Sequence, residues 1–214
     1  MRKEFFFMLG RPGCGKSFLY KNVFKSVFSQ EEVEDIIRVD DFPILQKLLD
    51  KDTEFKRHVR KEGGFEVTDW TIVDDVLKEM DKILKQKEKT GQKVFTEFAR
   101  DNYRDAINNF SDYVRERSVL IYIWSPYELC LKSNRNRFED ENKNHKTDDH
   151  IVPTSLMESY YKTDDMEELY DGNSESQKLK VNGWDLMIFP NPDHSETVDN
   201  KRKRFKKAVE KFQL

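Results

Sequence analysis

Apolar and polar positions along the chain follow two periods in turn. Phe5–Leu9 is an unbroken apolar run closed by Gly10, the pattern of a short strand buried on both faces. From Ser17 to Phe28 apolar residues return at Leu19, Val23, Phe24, Val27 and Phe28, which is helical spacing. Ile36–Val39 predicts a second strand that ends at Asp40 and Asp41. Residues 43–61 predict a polar helix with Ile44, Leu45, Leu48 and Leu49 on one side, stopped by Gly63-Gly64. The strongest helical stripe is Val73, Val76, Leu77, Met80, Ile83 and Leu84, with Thr68 or Asp69 to cap it and Gly91 to end it. Lys93–Glu97 predicts a third strand, Tyr103, Ile107, Phe110 and Val114 a helix, and Val119–Trp124 a fourth strand. Pro126 then opens another helix at a permitted first-turn position.

The segment 132–150 breaks this rhythm, with ten of its nineteen residues charged and only Phe138 strongly apolar. It predicts a lid over about 132–152. Pro153 restarts a helix carrying Leu156, Met157, Tyr160 and Tyr161, and residues 171–183 read as loop. Trp184–Phe189 predicts the fifth strand, and Phe205, Ala208, Val209 and Phe212 line the last helix. Strands that alternate with helices predict an α/β fold in three layers. Five parallel strands would carry helices on both faces, in one domain spanning 1–214.

Composition narrows the class. The 214 residues are 36% hydrophobic and 37% charged, and 16 Phe, 8 Tyr and 3 Trp supply core volume. A net charge of −3 gives no whole-molecule basic field for nucleic acid. Cys14 and Cys130 are too few for a disulfide framework and fit a reducing, cytoplasmic setting. No apolar run approaches a membrane-spanning length.

The chemistry begins at Gly10-Arg-Pro-Gly-Cys-Gly-Lys16-Ser17, which fits G-x-x-x-x-G-K-[ST] in full between a predicted strand and a predicted helix. Gly10, Gly13 and Gly15 permit a turn that aims backbone N–H groups inward, Cys14 contributing its backbone rather than its thiol. Lys16 would reach the β- and γ-phosphates of ATP, and the Ser17 hydroxyl would ligate Mg²⁺. The guanine-reading [NT]-K-x-D element is not met: His145–Asp148 and Tyr161–Asp164 have the wrong first residue and precede the fifth strand. Asp40 and Asp41 end the second strand at the carboxyl edge, where ligands bind in such sheets. Asp40 is expected to accept the acceptor's proton and Asp41 to touch substrate, or one of the two to cap the next helix. Glu97 ends the third strand and would face Mg²⁺-bound water. Arg100 would touch the acceptor, or pair with Glu97. Arg135 and Arg137 in the lid would close over the transferring group.

Other charged groups read as solvated faces: Lys56, Arg57, Arg60 and Lys61 on the 43–61 helix, and the tract Lys201–Arg204 with Lys206 and Lys207 on the last one. His145, His150, Asp148 and Asp149 fit no standard zinc spacing.

Three blocks together, FFFMLGRPGCGKS at 5–17, IIRVDDF at 36–42, and ELCLKSNRNR at 128–137 with VPTSLMESYY at 152–161, resemble P-loop kinases of the polynucleotide kinase and seryl-tRNA kinase type. The resemblance implies an ATP- and Mg²⁺-dependent kinase with a hydroxyl acceptor, with Asp40 as base and Asn134, Arg135 and Arg137 in a helix-lid signature. It implies a nucleic-acid 5′-hydroxyl as the first acceptor. Where phage-type relatives place a phosphate-contacting arginine, this chain has Pro43. A small acceptor, a nucleoside or a sugar, is the alternative. An ATP-sensing regulatory protein is the reading from another class.

Overall fold

A computed structural model describes residues 3–27, 36–61, 64–87, 92–144, 152–173 and 175–212, with the side chains of Lys61, Lys87 and 137–144 outside that description. The histidines and aspartates at 145–150 lie outside it too. One sheet runs through the molecule, built from β1 (Phe5–Leu9), β2 (Ile37–Asp40), β5 (Val94–Glu97), β6 (Ser118–Trp124), β7 (Gln177–Val181) and β8 (Trp184–Pro190). Its order is β2-β5-β1-β6-β8-β7. The first five are mutually parallel and β7 runs antiparallel to β8 along the outer edge.

Among the described residues the sheet therefore has six strands where the apolar pattern predicts five. The extra strand lies in the stretch read as loop. Lys178 and Lys180 alternate there with Leu179 and Val181 after Gln177, so three of its five positions are polar, as a solvated edge requires. Asn182 (φ 48°) and Gly183 (φ 82°) make the turn into β8 with both central residues left-handed. That is the Asn-Gly hairpin signal, present in the sequence.

A second departure concerns the helix expected over 43–61. The helix spans only Asp41–Asp50, and the chain then forms a two-stranded antiparallel hairpin, β3 (His58–Lys61) with β4 (Gly64–Val67). Asp52 organises the change. Its carboxylate accepts from the backbone N–H groups of Lys56 (3.1 Å) and Arg57 (2.8 Å) and pairs with His58 Nδ1 at 2.9 Å. Lys56, Arg57, Arg60 and Lys61 consequently sit on loop and hairpin rather than on a helix face.

Strand β1 shows how the core divides. Phe5, Phe7 and Leu9 face one apolar cluster and Phe6 and Met8 the other, because alternate strand residues point to opposite faces. The first cluster is covered by the helix Ile72–Lys87 through Val76, Leu77, Met80 and Leu84, together with the short helices Tyr103–Ala106 and Asp112–Glu116. The second is covered by the helices Lys16–Asn22 and Val198–Phe212. The segment predicted as a lid is carried by a helix that runs on from Tyr127 to Asn144, followed by a short helix, Thr154–Ser159. Among the described residues no helix is long and apolar enough to cross a membrane.

Candidate active site

The loop between β1 and the helix Lys16–Asn22 is one that only its own glycines allow. Gly10, Gly13 and Gly15 have φ of 135°, 82° and 99°. A Cβ on Gly10 would stand 2.7 Å from the Ile123 carbonyl oxygen, and one on Gly13 only 2.3 Å from that of Cys130. A Cβ on Gly15 would stand 2.8 Å from Asn191 Nδ2. The backbone is thus pressed against β6, the helix after it and the end of β8, leaving a cradle without side chains. Two bonds fix its shape: Gly10 N–H donates to the Tyr103 hydroxyl and Asn191 Nδ2 to the Cys14 carbonyl, each at 2.9 Å. The Cys14 thiol is buried, and its carbonyl is the acceptor of the Asn191 bond. Lys16 Nζ donates to the loop's own carbonyls, 2.6 Å to Gly10 and 3.0 Å to Arg11. These residues fit a nucleotide phosphate chain. The cradle has no room for side chains, and the buried ammonium is held by carbonyls that phosphate oxygens can replace.

Two carboxylates meet at the strand ends. Asp40 and Glu97 are register partners across β2 and β5, and Arg38 bridges them at 3.2 Å and 3.1 Å. Asp40 also accepts from Phe42 N–H at 3.1 Å and so caps its helix. Asp41 turns the other way. Its carboxylate takes a bond of 3.1 Å from Arg100 Nη1, and burial, opposed by Arg100 and aided by Asp40 and Glu97, pushes its pKa up to about 6. Arg100 is only 8% exposed and also donates to the Ala99 and Val73 carbonyls. The expected alternative pairing of Glu97 with Arg100 is replaced by two pairs, Arg38 with Glu97 and Arg100 with Asp41. Among the described residues no group of three or more His, Cys, Asp or Glu side chains forms a metal cage. A phosphate-bound Mg²⁺ needs only one or two protein ligands, a requirement that Ser17 and Glu97 meet by residue type.

The residues of the expected lid divide. Arg135 is exposed and pairs with Glu158 across to the Thr154–Ser159 helix at 3.4 Å. Asn134 is buried and clamps the Val152 backbone, donating to its carbonyl at 2.6 Å and accepting from its N–H at 3.3 Å. The side chain of Arg137 lies outside the described set. The basic tract of the last helix is only partly a solvated face. Lys201 is buried and donates to the His194 carbonyl at 3.3 Å, and Arg204 donates to the Pro190 carbonyl at 3.0 Å while pairing with Glu196.

A buried network behind the loop was not legible in the motif. Arg11 is 2% exposed; it pairs with Glu167, stands 3.6 Å from Asp164 and donates to the Ser125 carbonyl at 3.4 Å. The Tyr122 hydroxyl donates to Asp164 at 2.8 Å, and burial, countered by Arg11 and Tyr122, pushes the Asp164 carboxyl up to about 6. The motif treats Arg11 as a free position; the only sequence signal was an arginine inside a loop that must be buried.

No family model and no curated protein matches the sequence. Solved structures do match over nearly the whole chain. A gluconokinase from Sinorhizobium meliloti 1021 superposes with a TM-score of 0.53 at 11% identity, covering 99% of this chain and 95% of that one. The likeness is one of fold. A sugar kinase from Janibacter sp. HTCC2649 gives 0.50 at 11% identity over 97% and 95% of the two chains. The protein APE1195 gives 0.54 at 15% identity over 98% and 96%. The chain thus has the mostly parallel, helix-covered α/β fold of these structures.

Proposed function

We propose that the protein is an ATP- and Mg²⁺-dependent kinase that phosphorylates a hydroxyl group of a small acceptor. The observation that carries the reading is the glycine-built cradle with the buried Lys16 ammonium, on the same sheet as the strand ends of Asp40 and Glu97. Lys16 exchanges its bonds to the Gly10 and Arg11 carbonyls for phosphate oxygens. Ser17 and Glu97 would hold Mg²⁺, which when bound supplies charge neutralisation of the phosphates. Asp40 accepts the proton of the attacking hydroxyl, and Arg38 pairs with its carboxylate at 3.2 Å. Asp41 and Arg100 bind the acceptor. Arg135 and Arg137 close over the transferring group, Arg135 leaving Glu158 to do so.

A small acceptor fits better than a polynucleotide end. Asp40, Asp41 and Glu97 outnumber Arg38 and Arg100 on the acceptor side, an unfavourable field for a polyanion. Pro43 stands where polynucleotide kinases carry a phosphate-binding arginine, and the fold is shared with structures named as a gluconokinase and a sugar kinase. The test is γ-labelled ATP with nucleosides, hexoses, gluconate, oligonucleotides bearing a 5′-hydroxyl, and tRNA. Label on a small acceptor is expected. Label on oligonucleotide or tRNA alone moves the reading to a polynucleotide kinase. ATP binding with no transfer to any of them moves it to a regulatory protein.

A further inference from the structure

The acceptor-side pair has a neighbour that is not needed for phosphoryl transfer. Trp70 stands one turn before Val73, whose carbonyl Arg100 approaches, and its indole stacks on Tyr160 at 5.0 Å with the rings 19° apart. The indole is nonetheless 43% exposed. Tyr161 packs edge-on against Tyr160 at 4.8 Å, and both phenols lie within electrostatic reach of Arg100. Large exposed aromatics are uncommon in a chain that buries most of its rings, and one already stacked and held by a second ring is a prepared platform.

The polar pair beside it is incomplete. Arg100 Nε is buried and finds no hydrogen-bond acceptor among the described residues. A buried donor without a partner is costly in the free protein and is satisfied by an added acceptor. Asp41 keeps 24% side-chain exposure and has acceptor capacity beyond the one bond from Arg100. The site therefore offers one donor and one acceptor next to a flat apolar surface. Every nucleobase presents a donor and an acceptor on one edge and a π-face for stacking. A simple sugar can stack only through its C–H groups and lacks a planar edge that carries a donor and an acceptor beside a π-face. A sugar acid adds a negative charge to a site where three carboxylates face two arginines.

We propose that the Trp70–Tyr160 stack and the Asp41–Arg100 pair form a nucleobase subsite, and that the acceptor is a neutral nucleoside. The inference rests on the kinase reading only in naming this ligand as the acceptor; the subsite itself is tested by binding. The experiment fills the phosphate loop with a non-hydrolysable ATP analogue, so that the added ligand cannot occupy it, and titrates cytidine, thymidine, glucose and gluconate by calorimetry into wild type, Trp70→Leu and Trp70→Phe. The expected result is binding of at least one nucleoside in preference to glucose and gluconate. Trp70→Leu should weaken it roughly tenfold or more and Trp70→Phe should retain most of it, as base stacking on an aromatic ring implies. Tighter binding of glucose or gluconate, no nucleoside binding, or equal nucleoside affinity in Trp70→Leu overturns the subsite. Label transfer from γ-labelled ATP, measured in parallel, separates that outcome from failure of the kinase reading. Transfer to a sugar without nucleoside binding leaves a kinase of another acceptor. Nucleoside binding without transfer leaves the subsite and removes the kinase.

Discussion

Arg100 Nη1 bonds Asp41 at 3.1 Å, while Glu97 pairs with Arg38 instead. The Asp41 carboxyl is pushed up to about 6 by burial, against an ordinary value of 3.8. The folded state then binds this proton more tightly than the unfolded chain. Its contribution to stability is fully present below pH 3.8 and is lost as pH rises through about 6. Comparing wild type with Asp41→Asn in thermal melts from acid to neutral pH checks the sign. The melting temperature of wild type relative to the variant should fall across that window and level off above it.

Substitution separates the roles of the two aspartates in catalysis. With Asp40 as base, Asp40→Asn lowers kcat by about 10²-fold or more, and Asp41→Asn acts mainly on KM for the acceptor. The pH profile of kcat/KM for Asp41→Asn should then keep a base-dependent acid limb. Loss of that limb in Asp41→Asn would assign the proton to Asp41.

Gly13 is the tightest point of the phosphate loop, where a Cβ would stand 2.3 Å from the Cys130 carbonyl oxygen at a φ of 82°. Gly13→Ala must move either the loop or the Tyr127–Asn144 helix. The expected outcome is loss of ATP binding together with a stability loss of about 1–3 kcal/mol, read by nucleotide titration and urea unfolding.

Arg11 carries a structural burden that its place in the motif hides. Arg11→Met leaves the buried Asp164 and the partly exposed Glu167 without their cation, and for a buried pair such as Arg11 and Asp164 the loss is about 3–5 kcal/mol. Adding Asp164→Asn should make the double variant lose clearly less than the sum of the singles. Additive losses in a urea-unfolding cycle would show that the two groups do not couple.

The parts legible in the sequence were those governed by local pattern. The run Phe5–Leu9, the glycines before Lys16 and the stripe from Val76 to Leu84 each carry a period or a backbone requirement that few alternatives satisfy. The strand 177–181 was missed although Asn182-Gly183 announces its turn, because two lysines on an edge strand look like loop. The overlong helix at 43–61 has another cause: the switch to a hairpin goes with Asp52 gathering Lys56, Arg57 and His58, a local side-chain turn that has no apolar periodicity. Within the site, the strand-end acids were visible as positions. Their division of work was not, since the partners Arg38, Arg100 and Glu97 come from different strands and the loop after one of them. The Arg11–Asp164 contact joins residues from opposite ends of the chain and has no local signature at all.

The central claim is that the loop at 10–17 and the strand-end acid Asp40 act together in phosphoryl transfer to a small hydroxyl acceptor. Its most direct test is the transfer of label from γ-labelled ATP to the acceptor panel by wild type, Lys16→Ala and Asp40→Asn, with ATP binding followed in each. The account predicts a labelled small acceptor in wild type and no transfer in Lys16→Ala. In Asp40→Asn it predicts retained ATP binding with transfer reduced by about 10²-fold or more. Transfer at the wild-type rate in either variant, or ATP binding by wild type with no acceptor labelled, would contradict it.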